Sequence, residues 1–473
     1  MTTPIYPMDT IPSDVLLLIA DCVTDQRDYF RLLRVCRSWH TLLFPRAYRR
    51  ISVAHSQIYP LVRSVYRNPS IGKAILDLDI CWSSGESDVE EDDVEIAQDA
   101  VRRACDDSAD RARWKGFLRQ GDPDAWLAVL VPSLEAITSL SLQYSPPSDY
   151  FIPMLSQVAN LDPPFDARPV LQRLERVTVR TEDAKTTYDA ADFLQLFRLP
   201  AMRVFSGHAL CEAYEFDWDY PNPGPGTSGI RELRLGGVMT RCNGSKGMAD
   251  YITACANLEI LEYQHDNMAI WGAISLSFQP GLFYTALVTQ KHSLRELRLN
   301  DLGENTTDNC EDEDDETNEH FNHFGSLAEF HHLRELRIPV RTLLDFGLGN
   351  YPRISLHATL PQSLEYLHLS DYHEEDFDVV MADLKRVVEK RTDKFWNLTK
   401  LYIQSSAFES VPRSPHGWRS EIPVSIQQAF APFTGICHDA GIDFRLTQPE
   451  WATLHDCLRI TGFGATFSLI PHR

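Results

Sequence analysis

One short pattern constrains this chain more than any other: an apolar residue, two residues, a second apolar residue, one residue, a third. It begins at Ile137 (ITSLSL), Leu174 (LERVTV), Met202 (MRVFSG, degenerate) and Ile230 (IRELRL). It returns at Leu258 (LEILEY), Leu294 (LRELRL), Leu333 (LRELRI), Leu364 (LEYLHL) and Leu398 (LTKLYI). The starts lie 37, 28, 28, 28, 36, 39, 31 and 34 residues apart. The second half of each unit alternates with strand period, so every other side chain points inward. A unit of one strand and one helix cannot bury its apolar face alone, but a stack of them builds a continuous core. The length of 473 residues exceeds the usual single core and fits either two domains or one elongated array.

Helical patterns fill the intervals. Residues 124–131 carry Trp126, Leu127 and Leu130; 188–199 carry Phe193, Leu194, Leu196 and Phe197. Residues 377–388 carry Val380, Met381, Leu384 and Val387, with Glu374, Glu375 and Asp376 before them and Lys390 and Arg391 after, which suits the helix dipole. A strand–helix repeat of this kind resembles the leucine-rich repeat, here irregular and stretched by insertions, with the usual asparagine kept only at Asn300. The resemblance implies an α/β strand–helix solenoid over residues 121–473. Strand-like pieces at 50–54 and 75–80 lead into it, and 441–446 supply a last strand after a helix over 425–440.

Residues 9–50 read differently. Thr10, Pro12, Ser13 and Asp14 form a helix start, followed by Val15, Leu16, Leu18 and Ile19 at helical spacing. A second periodic stretch holds Phe30, Leu32, Leu33, Val35 and Cys36, and a third holds Trp39, Leu42, Leu43 and Phe44, with Pro45 expected to stop it. Three short helices make a poor core alone, and the segment has more apolar side chains than one side can hide. The run IPSDVLLLIADCVTDQRDYFRLLRVCRSWHTLLFPRAYRRI resembles an F-box, through Ile11-Pro12, Val15-Leu16, Ile19, Leu32, Val35-Cys36-Arg37, Trp39 and Leu42. Ile11 stands where that family has Leu, and Asp28-Tyr29-Phe30 where it has Asp-Leu-Leu. The resemblance, to an F-box protein with a leucine-rich-repeat solenoid of the fungal type, implies docking onto a Skp-type adaptor and through it a cullin. Ile11, Pro12, Leu16, Ile19, Leu32, Val35, Cys36 and Trp39 are the implied adaptor contacts, with Leu18 and Leu43 assigned to the core. Residues 51–120 are then a connecting segment with an acidic loop.

In a stacked array the polar residues between strand leucines form an open concave face. Its middle positions read Ser141, Thr178, Ser206, Arg234, Glu262, Arg298, Arg337, His368 and Tyr402. Two readings stay open: a ladder of solvated ion pairs worth little, or a surface that binds an unknown protein substrate. Arg and Tyr are over-represented at binding hot spots, which selects Arg234, Arg298, Arg337, His368 and Tyr402 as candidates.

With 45 Lys+Arg against 67 Asp+Glu, the net charge is −22. Residues 83–110 hold eleven acids and two bases, and residues 301–320 hold ten acids and no base; together they carry −19. Both stretches are expected as solvated loops, with Ser83, Ser84 and Ser87 as a conceivable phosphorylation region. Neither nucleic acid nor membrane is expected as a partner, given no nucleic-acid-binding motif and no apolar run near ~20 residues. No basic residue precedes the apolar run 15–20, so no secretory signal is expected. The ten cysteines, with no CxxC pair, read as reduced thiols of the cytoplasm or nucleus.

Catalytic patterns fail. GPGTSG at 224–229 fits GxGxxG only formally, because a strand pattern rather than a helix follows it. His320, His323, His331 and His332 lack metal-ligand spacing. Cys437-His438-Asp439 are neighbours in sequence and so do not face one another on a helix. No catalytic residue, metal or cofactor is expected. The alternatives to a ligase adaptor are a scaffold that binds the Skp adaptor without cullin and, remotely, a hydrolase.

Overall fold

The computed structural model describes residues 12–23, 25–81, 89, 91–105, 107–143, 148–180, 188–212, 223–236, 246–265, 278–300, 324–344, 354–372, 374–404, 422 and 424–447. The chain divides into two compact units, residues 1–178 with 199–201, and residues 179–198 with 202–464.

The first unit opens with three helices, α1 (Ser13–Asp21), α2 (Gln26–Leu32) and α3 (Arg37–Ala47). Leu16, Ala20, Leu33, Trp39, Leu43 and Ala47 form their core. Polar clamps close the small bundle: Tyr29 Oη donates to Ala20 O at 2.5 Å, and Gln26 Nε2 donates to Ala47 O at 3.0 Å and Arg50 O at 2.7 Å. Pro45 does not stop the third helix as expected; α3 runs on to Ala47. Pro45 gives up its N–H bond and crowds the carbonyl of Thr41, but with only two helical residues beyond it the helix is not ended there.

Then come β1 (Arg50–Ala54), α4 (Ile58–Arg67), α5 (Pro69–Ala74), β2 (Asp77–Cys81), α6 (Glu91–Ala104), α7 (Ser108–Arg119), α8 (Pro123–Leu130), β3 (Ser139–Gln143), α9 (Phe151–Asn160) and β4 (Arg176–Arg180). β1, β2 and β3 pair in parallel, and the N–H groups of Glu175 and Arg176 reach Thr138 O to start β4 alongside. The strands expected at 50–54 and 75–80 are thus β1 and β2, and the strand–helix pattern starts at the boundary at residue 50 and runs through the stretch 51–120 expected to be a connector.

The acidic segment 83–110 is also not simply a loop. Residues 91–104 form α6, whose Val94, Ala97 and Val101 recur at helical spacing and are fully buried. Its acids Glu91, Asp92 and Asp93 sit in the first turn, where the helix dipole favours them. Asp93 is buried against Arg63 at 3.3 Å. The acid count hid three apolar positions. Residues 301–320, and Ser83, Ser84 and Ser87, lie outside the described residues.

The second unit contains β5 (Tyr188–Asp189), α10 (Ala191–Leu194), β6 (Val204–Gly207), β7 (Leu210–Cys211), β8 (Glu232–Leu235), α11 (Ala249–Ala254), β9 (Ile260–Gln264), α12 (Pro280–Val288) and β10 (Glu296–Asn300). It continues with β11 (Glu335–Pro339), α13 (Val340–Leu344), α14 (Leu356–Thr359), β12 (Tyr366–Ser370), α15 (Phe377–Glu389), β13 (Lys400–Gln404), α16 (Val424–Asp439) and β14 (Asp443–Thr447). β6, β8, β9, β10, β11, β12, β13 and β14 stand in sequence order in one sheet, parallel and in register; β5 and β7 make a separate small pair.

The register explains the sequence repeat. Leu233, Leu261, Leu297, Leu336, Leu367 and Leu401 stack across successive strands, each fully buried. Burying one leucine contributes ~1.5–3 kcal/mol, so this ladder is the spine of the fold. Polar staples tie neighbouring repeats where it breaks. Gln290 Nε2 donates to Ile252 O and Cys255 O, while Leu258 N donates to Gln290 Oε1. Asp383 accepts from Leu356 N at 2.9 Å. The chain leaves α16 through Gly441 at φ 70°, a left-handed turn suited to glycine, and enters β14.

Candidate functional site

Two surfaces carry chemistry, and each is built by the geometry of its own elements. The first lies on the three-helix module. On α1, Leu16 and Ala20 are one turn apart and buried, whereas Val15, Leu18 and Ile19 are 44%, 66% and 45% exposed. Val15, Leu18, Ile19 and the exposed Cys22 recur at the i, i+3, i+4, i+7 spacing of a single helix face. Val35 is 47% exposed, Pro12 is exposed, and Leu32 and Cys36 are half-buried. Four of the eight large apolar side chains exposed among the described residues sit on this one small module.

The assignments made from sequence divide accordingly. Pro12, Ile19 and Val35 stand at the surface, and Leu32 and Cys36 at its margin. Leu16 and Trp39, expected as contacts, are core residues at 4% and 6% exposure; Leu18, expected in the core, is the most exposed of the set, while Leu43 is core as expected. The phase of α1 differs from the one assumed: Leu16 and Ala20, four residues apart, share the buried face, and Leu18, two residues from each, falls on the opposite side. Ile11 lies outside the described residues.

The second surface is the outer face of the strands in the second unit. Ser206, Arg234, Glu262, Arg298, Arg337, His368 and Tyr402 align as one cross-strand row, so the structure brings all five candidates together. The row continues to Arg445, opposite Tyr402. That residue was missed, although alternating Ile442, Phe444 and Leu446 mark it as the next middle position.

Charges along the row are largely matched. Arg234 pairs with Glu232 at 2.6 Å, and Arg298 with Glu296 at 3.0 Å and Glu335 at 3.3 Å. Arg337 donates to Gln404 Oε1 at 3.0 Å. Further out, Arg231 and Arg295 share Glu259, and Arg334 meets Glu365.

At its far end the row turns aromatic. Tyr366 and Tyr402 meet edge to face at 5.1 Å, and Arg445 lies over Tyr402 at 5.5 Å. His368 is only 5% exposed, within reach of Tyr366 Oη at 3.3 Å and Thr447 Oγ1 at 3.4 Å. Burial, helped by the positive charge of Arg337, holds the His368 imidazole down to about 4. His368 is therefore a neutral buried strut of the row, while Arg234, Arg298 and Tyr402 offer accessible surface.

Among the described residues, the catalytic and metal-ligating patterns considered in the sequence are not brought together. Cys437 is fully buried, which pushes its thiol up to about 12, while His438 and Asp439 point into solvent at 88% exposure each. Residues 223–229 form a loop leading to β8. His331 and His332 are exposed, His320 and His323 lie outside the described residues, and among the described residues no cluster of three His, Cys, Asp or Glu is placed to hold a metal. No helix among the described residues is long and apolar enough to cross a membrane.

Parallel strands in register and ladders of buried leucine define a repeat protein, preceded in the chain by a small helical module with an exposed apolar face. A family model described as a leucine-rich repeat domain matches residues 166–407, just over half of the chain, and an F-box-like model matches residues 8–54. The chain belongs to the leucine-rich-repeat family and carries an F-box-like domain. A search of curated proteins returns no match.

Proposed function

We propose that the chain is a non-catalytic substrate-recognition adaptor of a Skp–cullin–F-box ubiquitin ligase. Its F-box, at residues 9–50, holds a Skp-type adaptor and through it a cullin, and the repeats hold a protein substrate. The observation that carries this reading is the exposed apolar set Pro12, Val15, Leu18, Ile19 and Val35 on one small module. Such a patch is stable in water when a partner covers it. Holding substrate and ligase on one chain raises the effective concentration of substrate lysines near the charged enzyme. The setting is the cytoplasm or nucleus, where thiols stay reduced.

The test is co-purification from cells with a tagged chain. Wild type recovers both Skp adaptor and cullin. Leu18→Asp with Val35→Asp, at exposed positions, abolishes that recovery while leaving the melting curve in place. Recovery of the adaptor without cullin converts the reading to a scaffold; recovery of neither sinks both. Trp39 is unsuited to this test, because its removal opens the module's own core.

A further inference from the structure

A cavity of about 290 Å³ opens in the first unit between α7 and the start of α9. Its volume is at the small end for ligand sites, the size for one side chain rather than a cofactor. Trp114 and Met154, both buried, are among its lining residues, as is Tyr150. The Trp114 and Tyr150 rings stack at 5.1 Å and 29°. The Tyr150 hydroxyl is buried and has no hydrogen-bond partner among the described residues. A buried orphan hydroxyl costs free energy unless something arrives to satisfy it.

The charges around the cavity have one dominant sign. Asp110 and Asp149 are exposed lining residues, and the charges of Asp122 and Asp124 also act on Tyr150. Arg113 is the one basic side chain lining it, 3.9 Å from Asp149 with both partners more than half exposed. A pair so long and so wet is weak and readily exchanged. An aromatic wall, a spare hydroxyl and two weakly engaged carboxylates together ask for a planar cation.

We infer that this cavity is a subsite for an arginine side chain of a basic protein segment, separate from the repeat face. A guanidinium fits better than an ammonium, since it stacks on aromatic rings, is weakly hydrated and presents several donors in a plane. In the bound state it takes the place of Arg113 at Asp149, reaches Asp110 and gives the Tyr150 hydroxyl a donor.

The test is a saturation-transfer NMR titration of the full chain with the pentapeptide acetyl-Gly-Ser-Arg-Ser-Gly-amide. Peptides with citrulline or lysine in place of arginine are titrated beside it. The arginine peptide binds saturably, and the citrulline peptide binds about tenfold more weakly, as expected for losing hydrogen bonds to charged groups. Asp110→Asn with Asp149→Asn gives a comparable loss, Tyr150→Phe a severalfold loss with a melting temperature equal to or above that of wild type, and Arg298→Ala on the repeat face none. Absence of saturable binding, equal binding of the citrulline or lysine peptide, or indifference to the double variant overturns the assignment.

Discussion

The helical module and the repeats hide and show opposite things. In the repeats, the leucine ladder from Leu233 to Leu401 is sealed, and outward arginines are matched by Glu232, Glu296 and Glu335. In the module, α1 is apolar on two faces, with Leu16 and Ala20 turned in and Val15, Leu18 and Ile19 turned out. A surface of paired charges is content in water and gains little by chance contact. A surface of bare apolar side chains is not. In the function proposed above, the module is the side for a standing partner, and the repeats are the side for a partner chosen by the detail of its polar groups.

The sharpest break of that comparison is a matched pair of leucine truncations. Leu336→Ala, from the buried ladder, is expected to cost ~2–5 kcal/mol in urea unfolding, the transfer term plus the cavity left behind. Leu18→Ala, at 66% exposure, is expected to stay within about 0.5 kcal/mol. Similar costs at the two sites would remove the distinction between core leucine and docking leucine. One step down is Gln290→Leu, which strands Cys255 O and Leu258 N and leaves Ile252 O with the Cys255 N–H alone. Its expected cost is about 1–3 kcal/mol, read as a lower urea midpoint with an unchanged slope.

Much of this contrast could be read from the sequence, and what could not has physical causes. All nine repeat starts lead into strands, because period-2 alternation after a fixed leucine specifies both strand and register. The cross-strand row followed from the same register, Arg234 through Tyr402. Helix phase in the module was harder. α1 offers apolar residues all round, so periodicity alone could not decide whether Leu16 or Leu18 faces inward, and only packing against α3 does. α6 failed for the opposite reason: Val94, Ala97 and Val101 mark a buried stripe, but the surrounding acids outweigh it in any composition average. Burial of His368 was also hidden, since its position in the repeat is outward and its neighbours' reach is not a local property.

His368 supplies a pH contrast. Its imidazole is held near 4 in the fold, by burial first and Arg337 second, against the usual 6.5. Between those values the unfolded chain takes up a proton that the folded chain refuses. The stability contributed by keeping it neutral is thus whole above about 6.5 and is lost as the pH falls toward 4. His208, also near 4 through burial, acts in the same direction, and Asp192, raised to about 6 by burial, acts in the other. The difference between wild type and His368→Gln isolates the one group. The variant should lose less urea stability than wild type between pH 7 and pH 5. Parallel losses would mean that His368 titrates freely and that the row is open there.

The smallest expected stability effect carries the most information about the repeats. Arg298 pairs with Glu296 and Glu335, but all three side chains are 27–40% exposed, so screening and side-chain entropy consume most of the attraction. Arg298→Ala is expected to change stability by less than about 1 kcal/mol. If the row recognises a substrate, the same change should lower substrate recovery severalfold while leaving recovery of the Skp adaptor intact, because removing an anchor strands its partner groups. A stability loss above about 2 kcal/mol with undiminished substrate recovery would make the row a structural ion ladder. Recognition would then have to lie outside the ion-paired stretch of the row, with its aromatic end at Tyr366, Tyr402 and Arg445 the first place to cut.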